Sequence, residues 1–427
     1  MNYTDFSKWI KSFYRFGVKL DLDRIKYLCK KLDNPQNKYK TIHVAGTNGK
    51  GSVCRFLESV LYEDGYNVGV YTSPHIEDLT ERITINKKKI SKKEIVSASN
   101  IIKPFVNEMI NNNDSPTFFE VFTAIAFKIF NDKNVDFAIV ETGLGGRLDA
   151  TNIVKPMVSV ITNISLEHQN ILGKNICDIA FEKAGIIKRN IPVVTAARDK
   201  SLNVIKKTSK EKKTSIKIVD RGSWEKIDGG NFFQTFKIKG EIKEYIVKTQ
   251  MLGSFQGENI SIAISTIEKL QMNGIYFSQE SIINGIKNVN FPGRMEIISN
   301  NPTILLDGAH NISGINVLYD TIKNDFEYDK LIFVIGILSD KNIKNMLKIL
   351  NELADHIVLT KSKNKRSCDP NDMKKILIDL SFKNRISIKN KVDEAIIYAK
   401  KISKKNDMIC VTGSLFTVGE ARKYLKK

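Results

Sequence analysis

A chain of 427 residues is too long for one hydrophobic core, and two or three domains are expected. Its 42% hydrophobic and 27% charged residues read as an ordinary soluble globular protein, not a disordered or fibrous one. The net charge of +20 raises the possibility of a nucleic-acid partner, but lysines run along the whole chain, and residues 206–213 read as a solvated segment. A positive field equally attracts small polyanions.

The N-terminal MNYTDFSKWIKSF lacks the apolar core and cleavage site of a signal peptide. The longest apolar stretch, residues 118–130, is broken by Glu120 and Lys128 and is too short to span a bilayer. Cys29, Cys54, Cys177, Cys368 and Cys410 are odd in number and form no CxxC pair, which argues against a disulfide framework or thiolate zinc site and fits a reducing cytosol. A cytoplasmic monomer without membrane or nucleic-acid partners is expected.

In chain order, residues 41–45 (TIHVA) predict a strand running into a glycine-rich turn, followed by helical spacing over 55–64. Residues 67–71, 136–141 and 157–164 predict further buried strands, so the first half reads as a parallel sheet covered by helices. Residues 216–247 predict antiparallel hairpins, and 261–272 return to a helix. Phe291-Pro292-Gly293-Arg294 marks a boundary. Beyond it, strands are predicted over 303–306, 331–337, 356–360, 385–389 and 408–412, with helices between them. One of these helices opens on Asp369-Pro370, an N-cap followed by proline at the first helical position. A second doubly wound domain follows from the pattern.

The sharpest local signal is His43-Val-Ala-Gly46-Thr47-Asn48-Gly49-Lys50-Gly51-Ser52. Glycines let backbone N–H groups approach phosphate oxygens, and the helix start adds a favourable dipole. Lys50 supplies a point charge for the outer phosphates of a nucleotide. Val44 stands where the usual P-loop has its first glycine, and Gly51 replaces the Ser or Thr after the lysine. On these residues alone, an ordinary glycine turn capping a helix remains open.

The loop resembles the GTNGKGS segment of the folylpolyglutamate synthases, within the Mur-ligase superfamily. Further segments resemble the family in order: Thr72-Ser73-Pro74-His75 with Glu81-Arg82-Ile83, Thr117-Phe118-Phe119-Glu120, and Glu141-Thr-Gly-Leu-Gly-Gly-Arg147-Leu148-Asp149-Ala150-Thr-Asn152. Glu167-His168, Glu182-Lys183, Phe291-Pro-Gly-Arg294, Leu306-Asp307-Gly-Ala-His310-Asn311 and Gly413-Ser414-Leu415 continue the series.

The resemblance implies an α/β protein of two doubly wound domains. Residues 1–296 are expected to form an ATP-binding domain of P-loop type with added hairpins, and 297–427 a smaller Rossmann-like glutamate-ligase domain. It implies an ATP-dependent ligase joining L-glutamate to a folate or to dihydropteroate, with ATP held between the domains. Gly46, Thr47, Asn48, Gly49, Lys50, Gly51 and Ser52, with Asn259, Arg294 and Asp307, are the implied ATP contacts. Ser73 and Glu141 are implied ligands of a Mg2+ bridging the outer phosphates, and His168 of a second Mg2+, an unusual role for imidazole toward so hard an ion. Lys183 matches a carbamylated lysine.

Thr117, Phe118, Phe119 and Glu120, with Leu148, Asp149, Ala150 and Arg82, are implied to line a pterin pocket. Gly17, Val18, Lys19 and Leu20 form a second implied pterin stretch, and His310 and Ser414 are placed near the incoming glutamate. Independently of the resemblance, Thr117 and Glu120 form a T-x-x-E capping box. Another Mur-type amino-acid ligase, or a basic P-loop ATPase acting on nucleic acid, stays open as an alternative.

Overall fold

The computed structural model describes residues 1–17, 19–230 and 232–426. Two compact units make up the chain: residues 1–225, 236–247 and 257–289 in the first, and 226–235, 248–256 and 290–427 in the second.

The first unit is built on strands β1 (Lys40–Ala45), β2 (Val68–Tyr71), β3 (Ile83–Ile85), β4 (Lys88–Lys89), β5 (Phe137–Glu141), β6 (Val158–Ile161), β7 (Val193–Thr195) and β8 (Ile216–Ile218). They form one sheet in the order β4-β3-β2-β5-β1-β6-β7-β8. The six strands from β2 to β8 in that order run parallel, and β3 and β4 add an antiparallel edge. Parallel pairing needs a crossover between strands, and helices such as Lys50–Glu63 and Phe118–Asp132 provide it. One sheet face packs on a large core containing Phe122, Ile125, Phe130 and Val140; a second cluster on Ile161, Ile186 and Val193 is centred on β6 and β7. Burial on both sides explains why the inner residues of β1 and β5 are all buried instead of alternating with exposed ones.

The expectation of hairpins over 216–247 fails at its start, because β8 pairs parallel to β7. The charged helix Asp199–Glu211 supplies the crossover that joins them. The hairpin region begins later, with β9 (Trp224–Gly230), β10 (Phe233–Lys239) and β11 (Glu244–Thr249) in the order β11-β10-β9. The turn between β10 and β11 is tied down by the buried Glu268 of helix Gln256–Met272. Its carboxylate accepts from the backbone N–H of Glu241 (2.5 Å), Ile242 (3.0 Å) and Lys243 (3.4 Å) and from the Tyr245 hydroxyl (3.2 Å).

The second unit carries β12 (Glu296–Asn300), β13 (Thr303–Leu306), β14 (Leu331–Ile335), β15 (His356–Leu359), β16 (Arg385–Ile388) and β17 (Met408–Thr412). Their order is β12-β13-β17-β14-β15-β16, parallel except for β12. Cores lie on both faces, one around Phe333, Leu347 and Ile357, the other around Val334, Val358 and Ile396. Asp369 caps the helix Pro370–Asp379 with proline at its start, as the sequence predicts. Among the described residues no helix is long and apolar enough to cross a membrane.

Replacing Glu268 by alanine strips several donors of their shared acceptor and should cost about 2 kcal/mol of stability. Urea denaturation followed by circular dichroism checks this; an unchanged midpoint would show that water replaces the carboxylate without loss.

Candidate active site

Strand β1 lies between β5 and β6, and the chain leaves these three parallel strands at the same edge of the sheet. Such a point, outside the carboxyl ends of strands where connections diverge to either side, is where open α/β sheets collect ligand groups. The loop 46–49 follows β1, Glu141 ends β5, and Thr162 and Asn163 follow β6.

The loop is held from below by backbone and side-chain bonds. Thr47 N–H donates to the Asn163 carbonyl (2.8 Å) and Asn48 N–H to Asn163 Oδ1 (3.1 Å). The Thr162 hydroxyl donates to the Asn48 carbonyl at 2.7 Å. Gly49 has φ +84°, and a Cβ there would stand 2.3 Å from Oδ1 of Asn259, so the conformation and the space both demand glycine. This also brings Asn259 of helix Gln256–Met272 against the loop, within the first unit.

Lys50 opens the helix Lys50–Glu63, and its Nζ donates to the carbonyls of Gly46 (3.1 Å) and Thr47 (3.0 Å) and lies 3.9 Å from Glu141 Oε1. The Ser73 N–H donates to Glu141 Oε2 at 3.1 Å. Ser73, Glu141 and Lys50 are therefore brought together at the strand ends, with Glu141 only 4% exposed. His168 is exposed, at φ +46°, and follows Glu167 directly. Among the described residues no group of three His, Cys, Asp or Glu side chains gathers as a metal cage. A Mg2+ ion takes one or two carboxylates and fills its remaining positions with phosphate and water. The hard carboxylate of Glu141 fits that need.

Lys183 is 1% exposed, with Nζ donating to the Gly46 carbonyl (2.7 Å) and to Glu167 Oε1 (2.8 Å). Burial pulls its pKa down to about 8, although Glu167 opposes the shift. Burial raises the pKa of Glu167 in turn, but Lys183 and Lys50 more than offset this and leave it below the usual carboxylate range. Glu167, Thr162 and Asn163 are site residues that sequence reasoning missed as loop supports. Glu167 stood inside a matching segment; Thr162 and Asn163 carry no motif, only their place after a strand.

A second group of residues surrounds the start of helix Phe118–Asp132. Thr117 and Glu120 form the expected capping box, the Thr117 N–H donating to Glu120 Oε2 at 2.7 Å and the Glu120 N–H to Thr117 Oγ1 at 3.3 Å. Phe118 stacks on Tyr14 at 4.3 Å between ring centroids, and the Arg82 guanidinium lies 5.1 Å from the Phe118 ring. Arg82 Nε donates to His75 Nδ1 at 3.0 Å, and burial takes the His75 pKa down to about 3, so this imidazole accepts as a neutral ring.

Phe119 packs on Tyr71 at 5.7 Å and lines the approach to Gly143. Asp149 accepts from the N–H of Gly143 (2.9 Å) and Leu144 (2.8 Å), shaping the loop that carries half-buried Leu148 and buried Ala150. Burial raises the Asp149 pKa against those bonds. Gly17 has φ +62°, Lys19 Nζ donates to the Ser115 carbonyl at 2.8 Å, and Leu20 is exposed; Val18 lies outside the described residues. Tyr14 was not foreseen, since an aromatic in an N-terminal segment carries no spacing signal.

Beneath the loop, His43 is fully buried, with Nε2 2.8 Å from Thr151 Oγ1. The Thr151 hydroxyl donates to Asp149 Oδ1 at 2.5 Å, so His43 Nε2 is the donor. Burial takes its pKa down to about 3.

The second unit holds the remaining predicted residues. Asp307 accepts from Met295 N–H (3.0 Å) and Ala309 N–H (2.9 Å), and burial raises its pKa while Arg294 opposes this. His310 Nδ1 is 2.9 Å from the Gly308 carbonyl. Ser414 is the N-cap of helix Leu415–Leu425, 2% exposed, with Oγ accepting from Thr417 N–H at 3.1 Å. Its hydroxyl is committed to the helix, so a glutamate contact would have to share it.

Residues 44–267 match the Mur ligase middle domain, and residues 293–415 match the Mur ligase, glutamate ligase domain. A dihydrofolate synthase/folylpolyglutamate synthase of Bacillus subtilis (strain 168) is 37% identical over 433 residues, covering 99% of each chain. This chain belongs to the dihydrofolate synthase/folylpolyglutamate synthase family.

Solved members share the whole architecture. Mycobacterium tuberculosis folylpolyglutamate synthase complexed with ADP superposes with a TM-score of 0.92 at 30% identity, over 100% of this chain and 98% of that one. E. coli FolC in complex with DHPP and ADP gives a TM-score of 0.88 at 27% identity, over 100% and 98% of the two chains. The two-domain α/β fold with parallel sheets is thus shared with these solved structures.

The depressed pKa of Lys183 has a consequence for stability. An unfolded lysine titrates near 10.5 and the native one near 8, so between these values the unfolded chain binds more protons and stability rises with pH. Denaturation curves of wild type and Lys183→Met should therefore diverge in favour of wild type from pH 8 to 10.5. A constant difference would mean that the ammonium is not desolvated.

Proposed function

We infer that the chain is an ATP-dependent ligase that joins L-glutamate to the carboxylate of a folate, and to dihydropteroate as well. The observation that carries this reading is the convergence of a glycine loop, Lys50 and Glu141 at three strand ends in a chain similar along its full length to folate ligases. ATP phosphates lie on the loop 46–52, against the N–H groups at the start of helix Lys50–Glu63, and Lys50 leaves its carbonyl partners to offset charge on the transferring phosphoryl group. Asn259 in the first unit, and Arg294 and Asp307 in the second, serve the nucleotide in this reading.

The γ-phosphoryl group moves to the substrate carboxylate, giving an acyl phosphate and ADP. The neutral amine of glutamate attacks the carbonyl carbon, loses a proton and expels inorganic phosphate as the amide forms. His310 and Ser414 are assigned to the incoming glutamate. The pterin ring rests by Phe118 and Phe119, within reach of Arg82, Asp149, Gly17 and Lys19. Glu141 and Ser73 would hold one Mg2+ and His168 a second, and such an ion, when bound, neutralises phosphate charge and aligns its oxygens.

Carbamylation of Lys183 needs a neutral amine, which the pKa of about 8 supplies. It also needs Glu167 to turn away, since two anions would otherwise stand where the ion pair now is. The cytoplasm, where the free cysteines stay reduced, is the location that suits the chain.

An ADP-release assay with ATP, Mg2+, glutamate and either dihydropteroate or a reduced folate tests the reading. Turnover with a pterin substrate is expected, and Lys50→Ala should lower kcat by about a thousandfold while the fold is kept. Release that depends on DNA or RNA, or on a UDP-sugar peptide, would overturn the assignment.

Glu141→Gln keeps the shape and loses the anion. Its magnesium requirement should rise about tenfold with little change in pterin affinity, read from activity against Mg2+ concentration and from pterin binding without ATP. An identical magnesium curve would remove Glu141 as a ligand.

A further inference from the structure

Arg24 lies in helix Asp23–Lys31, outside every segment assigned above, and is 8% exposed. Its guanidinium serves three carboxylates at once. Nε donates to both oxygens of Glu120 (3.0 and 3.2 Å), one terminal nitrogen to Asp114 Oδ1 (3.2 Å), and the other to Asp21. The three acids belong to two separate stretches of chain. Asp21 directly follows Leu20, whereas Asp114 and Glu120 bracket Thr117 and Phe118. Lys19 adds a second tie between the same stretches through the Ser115 carbonyl at 2.8 Å.

We propose that Arg24 is a positioning residue for the pterin substrate, fixing the offset between Tyr14, Lys19 and Asp21 on one side and the Phe118 wall on the other; this rests on the folate-ligase reading. A planar fork with five donors can meet three carboxylates in one geometry, which a lysine ammonium on a flexible stem cannot do. Without the cation, Asp21, Asp114 and Glu120 repel one another across the junction, and Glu120 is too buried for water to screen it fully. The 4.3 Å stacking of Tyr14 on Phe118 spans that same junction, so separation would pull the aromatic floor apart. Among the described residues no hydrogen bond joins Arg24, Asp21, Asp114 or Glu120 to residues 46–52, so the nucleotide side is spared.

The test is steady-state kinetics on the whole chain with Arg24→Lys and Asp21→Asn, varying pterin substrate, ATP and glutamate in turn. The Asp21 side chain is 38% exposed, against 9% for Arg24 and 4% for Glu120, so its amide variant folds even where Arg24→Lys does not. The KM for the pterin substrate should rise about tenfold in Arg24→Lys and severalfold in Asp21→Asn, with kcat and the KM for ATP within about twofold of wild type. Asp21→Asn should also keep the wild-type melting temperature. An unchanged pterin KM in the folded variants, or a parallel rise in the KM for ATP, overturns the positioning role while wild-type turnover leaves the folate reading intact. Wild-type protein that releases no ADP with any pterin substrate defeats the folate reading and this inference together.

Discussion

A buried ammonium joins two parts of the chain that the sheet alone would not hold together. Lys183 Nζ binds the carbonyl of Gly46, the first residue of the phosphate loop, and the carboxylate of Glu167, in the segment after β6. A charge placed 1% exposed is tolerated only because both partners are in contact and the ion pair is hydrogen-bonded. The loop carbonyls are thus spoken for from one side by Lys183 and from the other by Lys50, and the Thr47 and Asn48 N–H groups by Asn163, which leaves the N–H groups of the helix start, residues 50–52, as the face offered to an anion. The strand order puts Glu141 and Asn163 on either flank of that face. Removing Lys183 would loosen the loop before any question of its chemistry arises.

Much of this was legible in the sequence, for identifiable reasons. Strands β1, β5 and β6 are short, mostly apolar runs, and a strand, a glycine turn and a lysine occur together in few other contexts. The Thr117–Glu120 box was legible because capping is local, set by residues three apart. Hydrogen bonds that join distant segments left no such mark: Arg24 to Glu120, Lys19 to Ser115 and Asn163 to Asn48 span 90 residues or more. Nor could spacing reveal that Ser414 caps a helix and Asp307 ties a turn, because the same residue types also suit ligand contacts. The misassigned β8 has a similar cause: three residues of alternating Ile and Lys cannot state which neighbour they pair with. Helix Lys92–Asn111 carries Pro104 within it, exposed on its outer side, where local rules alone would have ended the helix.

The two ends of the site use carboxylates in opposite ways. Glu141 and Glu167 stand beside lysines, where charge is balanced pairwise at the phosphate loop. Asp149 and Asp307 are buried among backbone N–H groups that hold the carboxylate by dipoles, with Arg294 also acting on Asp307, and burial raises the pKa of both. The first arrangement leaves cations that can follow a moving phosphoryl group. The second makes rigid corners for loops that must present their side chains at a fixed angle.

His43 sits under the phosphate loop, donating from Nε2 to a threonine whose own proton is already given to Asp149. With a pKa near 3, it keeps one tautomer and no charge at any acidity a living cell reaches. The strand that bears the loop therefore acts as an electrically silent foundation. Acidification of the surroundings leaves the potential at the phosphates unaltered from below, and a rate profile across neutrality would carry no imidazole limb from this residue.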